Sequence, residues 1–191
     1  EIWVMNRNGS NQHPLLEIDE INEGTVIRNF IWSPDSDYII VLLTSMWLDN
    51  SSEIQRISLS GHKTKILSSD LVLQNPSYSP DGTRTAFIIQ FPNPPEGSPM
   101  FRLYSANTDF SDTVLIDKGL IGDFDWMNDS EGVVYTLYDR ANENNDIWKS
   151  TLNGTEKIRF SETMEDVGTL SCSGDGNYIA YSGNNAVYIT P

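Results

Sequence analysis

The chain has one cysteine, Cys172, in 191 residues, so it cannot hold an internal disulfide and is no disulfide-stapled scaffold. It is poor in positive charge: 12 Lys and Arg stand against 27 Asp and Glu, a formal net charge of −15. That balance argues against a nucleic-acid partner, which needs a basic footprint, and against binding to an anionic membrane surface. Only two histidines are present, His13 and His62. Both fall at or just after short polar turns, too few and too isolated to form a zinc cluster. No apolar run approaches the roughly 18 residues that membrane insertion requires. The chain opens on "EIWVMN", which is no signal peptide and lacks an initiator Met, as in a processed protein or part of a longer one. G-x-S-x-G, H-E-x-x-H and Gly-rich phosphate loops are also missing, which removes the simplest hydrolase, zinc-protease and nucleotide-binding readings.

What the chain does have is a repeat. "WSPDSDYIIVLL" from Trp32, "YSPDGTRTAFII" from Tyr78, "WMNDSEGVVYTL" from Trp126 and "CSGDGNYIAYSG" from Cys172 align without strain. The turn signals occupy 33–36, 79–82, 127–130 and 173–176, at spacings of 46, 48 and 46 residues. A period in the 40s made of short strand-like runs is the mark of a propeller array.

Each unit reads as four short strands, called A to D. Strand A ends in "NFIW", "NPSY", "DFDW" or "TLSC", with large apolar residues mostly at the second and fourth letters and a polar residue first. That alternation is typical of a half-buried strand. The second and fourth letters are Phe30 and Trp32, Pro76 and Tyr78, Phe124 and Trp126, and Leu170 and Cys172. Cys172 thus reads as a small buried hydrophobe where other repeats place Trp or Tyr.

In the turn that follows, Asp35, Asp81, Asp129 and Asp175 hold the third position in every copy. A carboxylate there accepts a backbone N–H two residues on, so these four are structural. Gly82 and Gly176 follow two of them and tolerate positive φ. Ser36 and Ser130 replace the glycine in the other copies, where the turn should be strained or of another type. Strand B is an apolar run such as "YIIVLL". Strand C reads "EIQRIS", "MFRLYS" or "DIWKST", and strand D is weak and carries Lys or Pro, as an outer edge strand does. The expected fold is all-β, a β-propeller of four-stranded antiparallel blades whose sheets are buried face against face.

The wording of the repeat resembles the TolB-type, WD-like β-propeller family across essentially the whole chain. "YDRANENNDIWKSTLNG" (138–154) and "EIWVMNRNGSNQHPLL" (1–16) lie close to that family's loop and C-strand signature. Met127 and Asn128 depart from Ser-Pro in the third copy and put only that turn's geometry in question. The chain supplies about four blades' worth of strands, with four A, four B, five C and four D. Either Glu1–Asn6 or Ala186–Thr190 is therefore a surplus C strand. Three arrangements fit: a segment of a six- to eight-bladed ring cut within a blade at both ends, two copies completing one ring, or a four-bladed ring with one free strand. The domain reading is thus one propeller or partial propeller over 1–191, with a homo-oligomer expected if the ring is incomplete.

The resemblance implies that D–A and B–C loops share one face of the propeller. That face collects Glu17, Asp19, Glu20, Glu23, Asp49, Glu53, Glu96, Asp139, Glu143, Asp146, Glu162, Glu165 and Asp166 against Arg28, Lys118 and Arg140. The opposite face carries Arg7, Lys63, Lys65, Arg84 and Lys157 among its acids. A cationic partner is expected on the loop face, beside the bland alternative of a solvated acidic surface.

Trp47, Phe91 and Tyr138, with the neighbouring Asp139 and Arg140, are candidate interface residues; the alternative is packing of each loop on its own blade. Asn29, Asn75, Asp123 and Thr169 open the A strands and should ring the channel mouth, around water or a small polar ligand or cation. No metal site and no cofactor is assigned. Propeller-fold lyases acting on sugar acids use several histidines around the channel, which this chain lacks.

The leading expectation is a non-catalytic, extracytoplasmic, periplasmic or secreted, protein- or peptide-binding propeller. The alternatives are the gating propeller of a prolyl-oligopeptidase-type peptidase, whose catalytic domain lies elsewhere, and an extracellular sensor domain.

Overall fold

Short apolar runs, each closed by an Asp-centred turn, leave the backbone one economical solution, antiparallel pairing with the preceding run. The structure is a computed structural model that describes residues 1–17, 23–45, 51–139, 143–164, 167–183 and 186–190. Every regular element in it is a strand. In chain order these are β1 (Ile2–Val4), β2 (His13–Leu16), β3 (Thr25–Trp32), β4 (Tyr38–Ser45), β5 (Ser52–Ser58), β6 (Lys63–Ser69), β7 (Val72–Tyr78) and β8 (Arg84–Gln90). There follow β9 (Phe101–Asn107), β10 (Val114–Trp126), β11 (Gly132–Asp139), β12 (Asn144–Thr151), β13 (Lys157–Met164), β14 (Leu170–Cys172), β15 (Ile179–Gly183) and β16 (Ala186–Thr190).

The chain divides into two compact units, Glu1–Pro76 and Ser77–Pro191, with the division inside β7. In the first unit, β3-β4-β5-β6 form one complete A–B–C–D sheet, and β1-β2 form a separate two-stranded C–D sheet. Tyr38 to Thr44 pair residue for residue with Ser58 to Ser52, so the apolar B strand sits in mid-sheet. Ile2, Leu15 and Leu16 pack on Ile39, Val41, Leu43 and Ile57, joining the two sheets face to face.

The seven-stranded run β13-β12-β11-β10-β9-β8-β7, whose β7 holds the division, carries two repeats, and β14-β15-β16 add a three-stranded A–B–C sheet in the second unit. The two repeats are continuous because strand D of one and strand A of the next fuse into the 13-residue β10. Its first half pairs with β9 and its second half with β11, with register shifts between Leu115 and Asp117 and between Ile121 and Phe124. "TVLID" and "DFDW", separate D and A strands by pattern, are joined in the structure. Gly119, at φ 158°, lies where β10 passes between partners, and a Cβ there would stand 2.5 Å from Leu137 Cδ1.

One core cluster packs Ala86, Ile88, Leu103 and Ile116 of one repeat on Phe124, Trp126, Val133 and Tyr135 of the next. A second packs Val134 and Ile147 on Leu170, Ile179 and Tyr181 of the last sheet. The sheets therefore bury their faces on one another, as the repeat implies.

The turns repeat one geometry. Ser33 and Ser79 donate their hydroxyls to Asp35 and Asp81 at 2.6 Å, and Ser173 does the same to Asp175 at 2.6 Å. Each carboxylate, Asp129 included, also accepts the N–H two residues on, from Asp37, Thr83, Glu131 and Asn177. Met127 removes the serine hydroxyl from the third turn but leaves the backbone bond from Ser130 N–H to the Met127 carbonyl at 2.9 Å. Ser36 (φ 62°) and Ser130 (φ 63°) take the same left-handed conformation as Gly82 (φ 72°) and Gly176 (φ 73°). Of the two alternatives, strain within one turn type is what occurs.

Candidate functional site

The polar first letters of strand A take different roles. Asn29 is half-buried and Asn75 is exposed at a positive φ of 50°. In the second unit, Asp123 accepts the Leu170 N–H at 3.1 Å, and its own N–H is bonded to Thr136 Oγ1 at 3.0 Å. Burial raises the Asp123 carboxyl pKa, with the Leu170 N–H pulling the other way. Thr169, next in chain to Leu170, is exposed and bonds to Ser182 through both its N–H and its hydroxyl. Asp123 thus reaches the strand that Thr169 leads into, and its charge is used to join β10 to β14.

The third letter of strand A, which the sequence reading passes over, does the same work more fully. Asp125 Oδ2 accepts the Cys172 N–H at 2.8 Å and the Ser171 hydroxyl at 3.1 Å, while Oδ1 takes the Trp126 N–H at 2.8 Å. One repeat earlier, Ser77 Oγ accepts from Trp126 Nε1 at 3.0 Å. A polar third letter therefore ties its sheet to the next strand A. The signal is the polar third letter of "NPSY" and "DFDW", Ser77 and Asp125, set between the large second and fourth letters.

Of the loop candidates, Phe91 is half-buried, with the Arg102 guanidinium 4.3 Å above its ring centre and its N–H bonded to the Met100 carbonyl at 2.7 Å. Tyr138 and Asp139 are half-buried at the end of β11, opposite Asn145 and Asn144 of β12. Trp47 and Arg140 lie outside the described residues, as do Asp19, Glu20, Asp49, Glu165 and Asp166.

Four acids assigned to the loops, Glu53, Asp139, Asp146 and Glu162, belong instead to strands, and two of them are paired with bases there. Glu53, in β5, pairs with Lys65 across to β6. Asp146, in β12, is buried and pairs with Arg159 at 2.7 Å. Cross-strand pairing with a basic D strand removes both from the loop charge. Glu17, Glu23, Glu96 and Glu143 remain exposed at loop positions.

A cavity of about 350 Å³ in the second unit is lined by Val134, Lys149, Phe160, Cys172, Asn177 and Tyr178. Burial, with the Asp125 charge behind it, pushes the Cys172 thiol in its wall up to about 11. Among the described residues, no group of three or more His, Cys, Asp or Glu is placed to hold a metal ion.

No protein-family model matches the chain, and a search of curated proteins gives no match. Solved structures do match in fold. Oligogalacturonate lyase from Vibrio parahaemolyticus superposes with a TM-score of 0.70 at 14% identity, over 93% of this chain and 54% of that one. TolB from Acinetobacter baumannii superposes with a TM-score of 0.67 at 18% identity, over 98% of this chain and 45% of that one. The tricorn protease gives a TM-score of 0.60 at 9% identity, over 86% of this chain and 21% of that one. The chain spans about half the length of the lyase and of TolB. The fold is a β-propeller fold, all-β and antiparallel. A fold shared by a lyase, TolB and a protease does not select an activity.

Proposed function

We propose that the chain is a non-catalytic propeller segment of the TolB type that binds a protein or peptide of cationic character through its D–A and B–C loops. The observation that carries this reading is the division of labour among its carboxylates. Asp35, Asp81, Asp129 and Asp175 are used in turns, Asp123 and Asp125 join sheets, and Asp146 answers Arg159. Asp117 accepts from the Tyr135 hydroxyl and pairs with Lys157 at 2.6 Å. Acids left exposed, such as Glu96 and Glu143, sit at loop positions, where they attract cations without positioning a proton for transfer. An extracytoplasmic location follows from the family resemblance, and the lone cysteine accords with it.

The test is calorimetric titration of the full chain with a Lys/Arg-rich peptide and with an acidic peptide of equal length. Binding of the basic peptide alone, weakened at least tenfold by Glu96→Lys with Glu143→Lys, is the expected result. Equal binding of both peptides, or indifference to the charge reversals, overturns it. The second reading, a propeller inside a larger peptidase, draws on the tricorn protease match. A hydrolase domain encoded in the same gene would decide for it.

A further inference from the structure

The third repeat departs from its sister copies at two positions, and each departure frees a charge. Arg56 and Lys149 hold the same place in strand C, opposite Ile40 and Val134 and next to the pairs Tyr38–Ser58 and Gly132–Thr151. In the first unit the Arg56 guanidinium lies 3.8 Å from the centre of the Tyr38 ring. Gly132 stands in the place of Tyr38 in the third repeat, and a Cβ there would be 2.4 Å from the Ser150 carbonyl oxygen. Its own sheet therefore supplies no ring to Lys149. Asp125 lies in the same cross-strand row, but both its oxygens are engaged by N–H groups. Among the described residues the Lys149 ammonium has no ion pair, hydrogen bond or ring partner. The second departure is Met127, where the other turns have a serine whose hydroxyl donates to the turn carboxylate. Asp129 keeps the Glu131 N–H on Oδ1, and its Oδ2 has no partner among the described residues.

Both freed charges border the cavity of about 350 Å³, a volume within the roughly 300–1,000 Å³ of small-molecule sites. Its walls come from the third repeat and from the β14–β15 hairpin with its turn, and β16 contributes no lining residue. Val134 and Ile179 are buried and Lys149 is half-buried, so these form the floor, whereas Asp129 is exposed at the mouth. Phe160 is the extra residue of a bulge, because Ile147 pairs with Ser161 and Trp148 with Arg159. Its ring and that of Tyr178 complete the lining. A half-buried ammonium without a counter-charge favours an anion that can reach it.

We propose that this cavity binds a free amino acid with an aromatic side chain. The ligand's carboxylate accepts from the Lys149 ammonium on the floor, its own ammonium turns outward and donates to Asp129 Oδ2, and its ring packs on Phe160 and Tyr178. A plain carboxylate would answer Lys149 and leave Asp129 open; a plain amine would do the reverse. The zwitterion answers both signs, and that selects it. Asp175, also at the mouth, is already engaged by Ser173 and by the N–H and side chain of Asn177. The site lies at the A–B turn end of the sheets, so the inference stands apart from the loop reading above.

The test is calorimetric titration of the full chain with L-phenylalanine, with 3-phenylpropionate, which lacks the ammonium, and with phenethylamine, which lacks the carboxylate. Saturable binding of phenylalanine, about tenfold or more tighter than either analogue, is expected. Lys149→Met should weaken phenylalanine binding by about tenfold or more, and Lys149→Arg should largely keep it. Asp129→Asn retains an oxygen for the Glu131 N–H, so it should fold like the parent and lose the preference for phenylalanine over 3-phenylpropionate. Thermal melts of the three variants report their folding. Amide shifts in the NMR spectrum on adding phenylalanine should centre on residues 127–129, 149 and 172–179. The proposal is overturned if phenylalanine fails to saturate or if either analogue binds as tightly. It is also overturned if folded Lys149→Met binds phenylalanine like the parent, if Asp129→Asn keeps the preference, or if the shifts centre elsewhere.

Discussion

"NFIW" and "DFDW" are two copies of one strand, and they differ less in their letters than in what lies beside them. Strand A of "DFDW" has a complete sheet ahead of it and a three-stranded sheet behind it, so its aromatics are core and its acids are inter-sheet bonds. Among the described residues, strand A of "NFIW" faces the two-stranded β1–β2 sheet, and its Phe30 and Trp32 are half open to water. Burial here is a property of the neighbour as much as of the residue.

The comparison is sharpest at the two tryptophans. Trp126→Ala should cost about 3–5 kcal/mol, because it empties a close-packed site and strands the Ser77 hydroxyl. Trp32→Ala should change stability by no more than about 0.5 kcal/mol. Urea unfolding of both variants checks this, and equal losses would break the comparison.

Next in size is Asp125→Ala. It leaves the Cys172 N–H without its acceptor and should cost about 1–3 kcal/mol. Hydrogen exchange at Cys172 should rise with it. Ile31 holds the equivalent place in the first unit, and no such bond can form there.

The serines with left-handed backbones give a smaller contrast. Ser36→Gly should stabilise the first unit by roughly 0.5–1 kcal/mol by relieving positive φ. Ser130→Gly should give no such gain, because the buried Ser130 hydroxyl accepts the Asp81 N–H at 3.0 Å and that bond would be lost. Thermal melts of the two variants should move in different directions.

The smallest effect is the response to acid. The Ser173 hydroxyl, the Asn177 N–H and the Asn177 side chain hold the Asp175 carboxyl down at about 2. The Ser33 and Ser79 hydroxyls lower Asp35 and Asp81 in the same way. A carboxyl lowered in the folded state contributes stability that is whole above its unfolded value of about 4. That contribution fades as pH falls through the folded value, so the Asp175 share disappears between about 4 and about 2. Ser173→Ala should move the Asp175 midpoint upward in a carboxyl NMR titration.

Much of this molecule was legible in the residues. The turns at 33–36, 79–82, 127–130 and 173–176 fall where the repeat puts them, because Asp and its N–H partner two residues on are a local device. The strands flanking them follow from alternation, and the five C strands appear as β1, β5, β9, β12 and β16. Less legible was anything that needs a second sheet. The role of Asp125 depends on Cys172, 47 residues away. The fusion of strands D and A into β10 depends on two different partners. The pairing of Asp146 with Arg159 withdraws a charge that sequence alone assigns to the loops.

By itself the sequence determined the all-β class, the period, the turn chemistry and the alternation within each strand, because these rest on contacts between residues near in the chain. Only the tertiary structure decided which aromatics are core and which are open, and which carboxylates are joints and which face water. Those outcomes are set by desolvation and hydrogen bonding between sheets far apart in the chain, and the letters of a single strand carry no record of what will cover it.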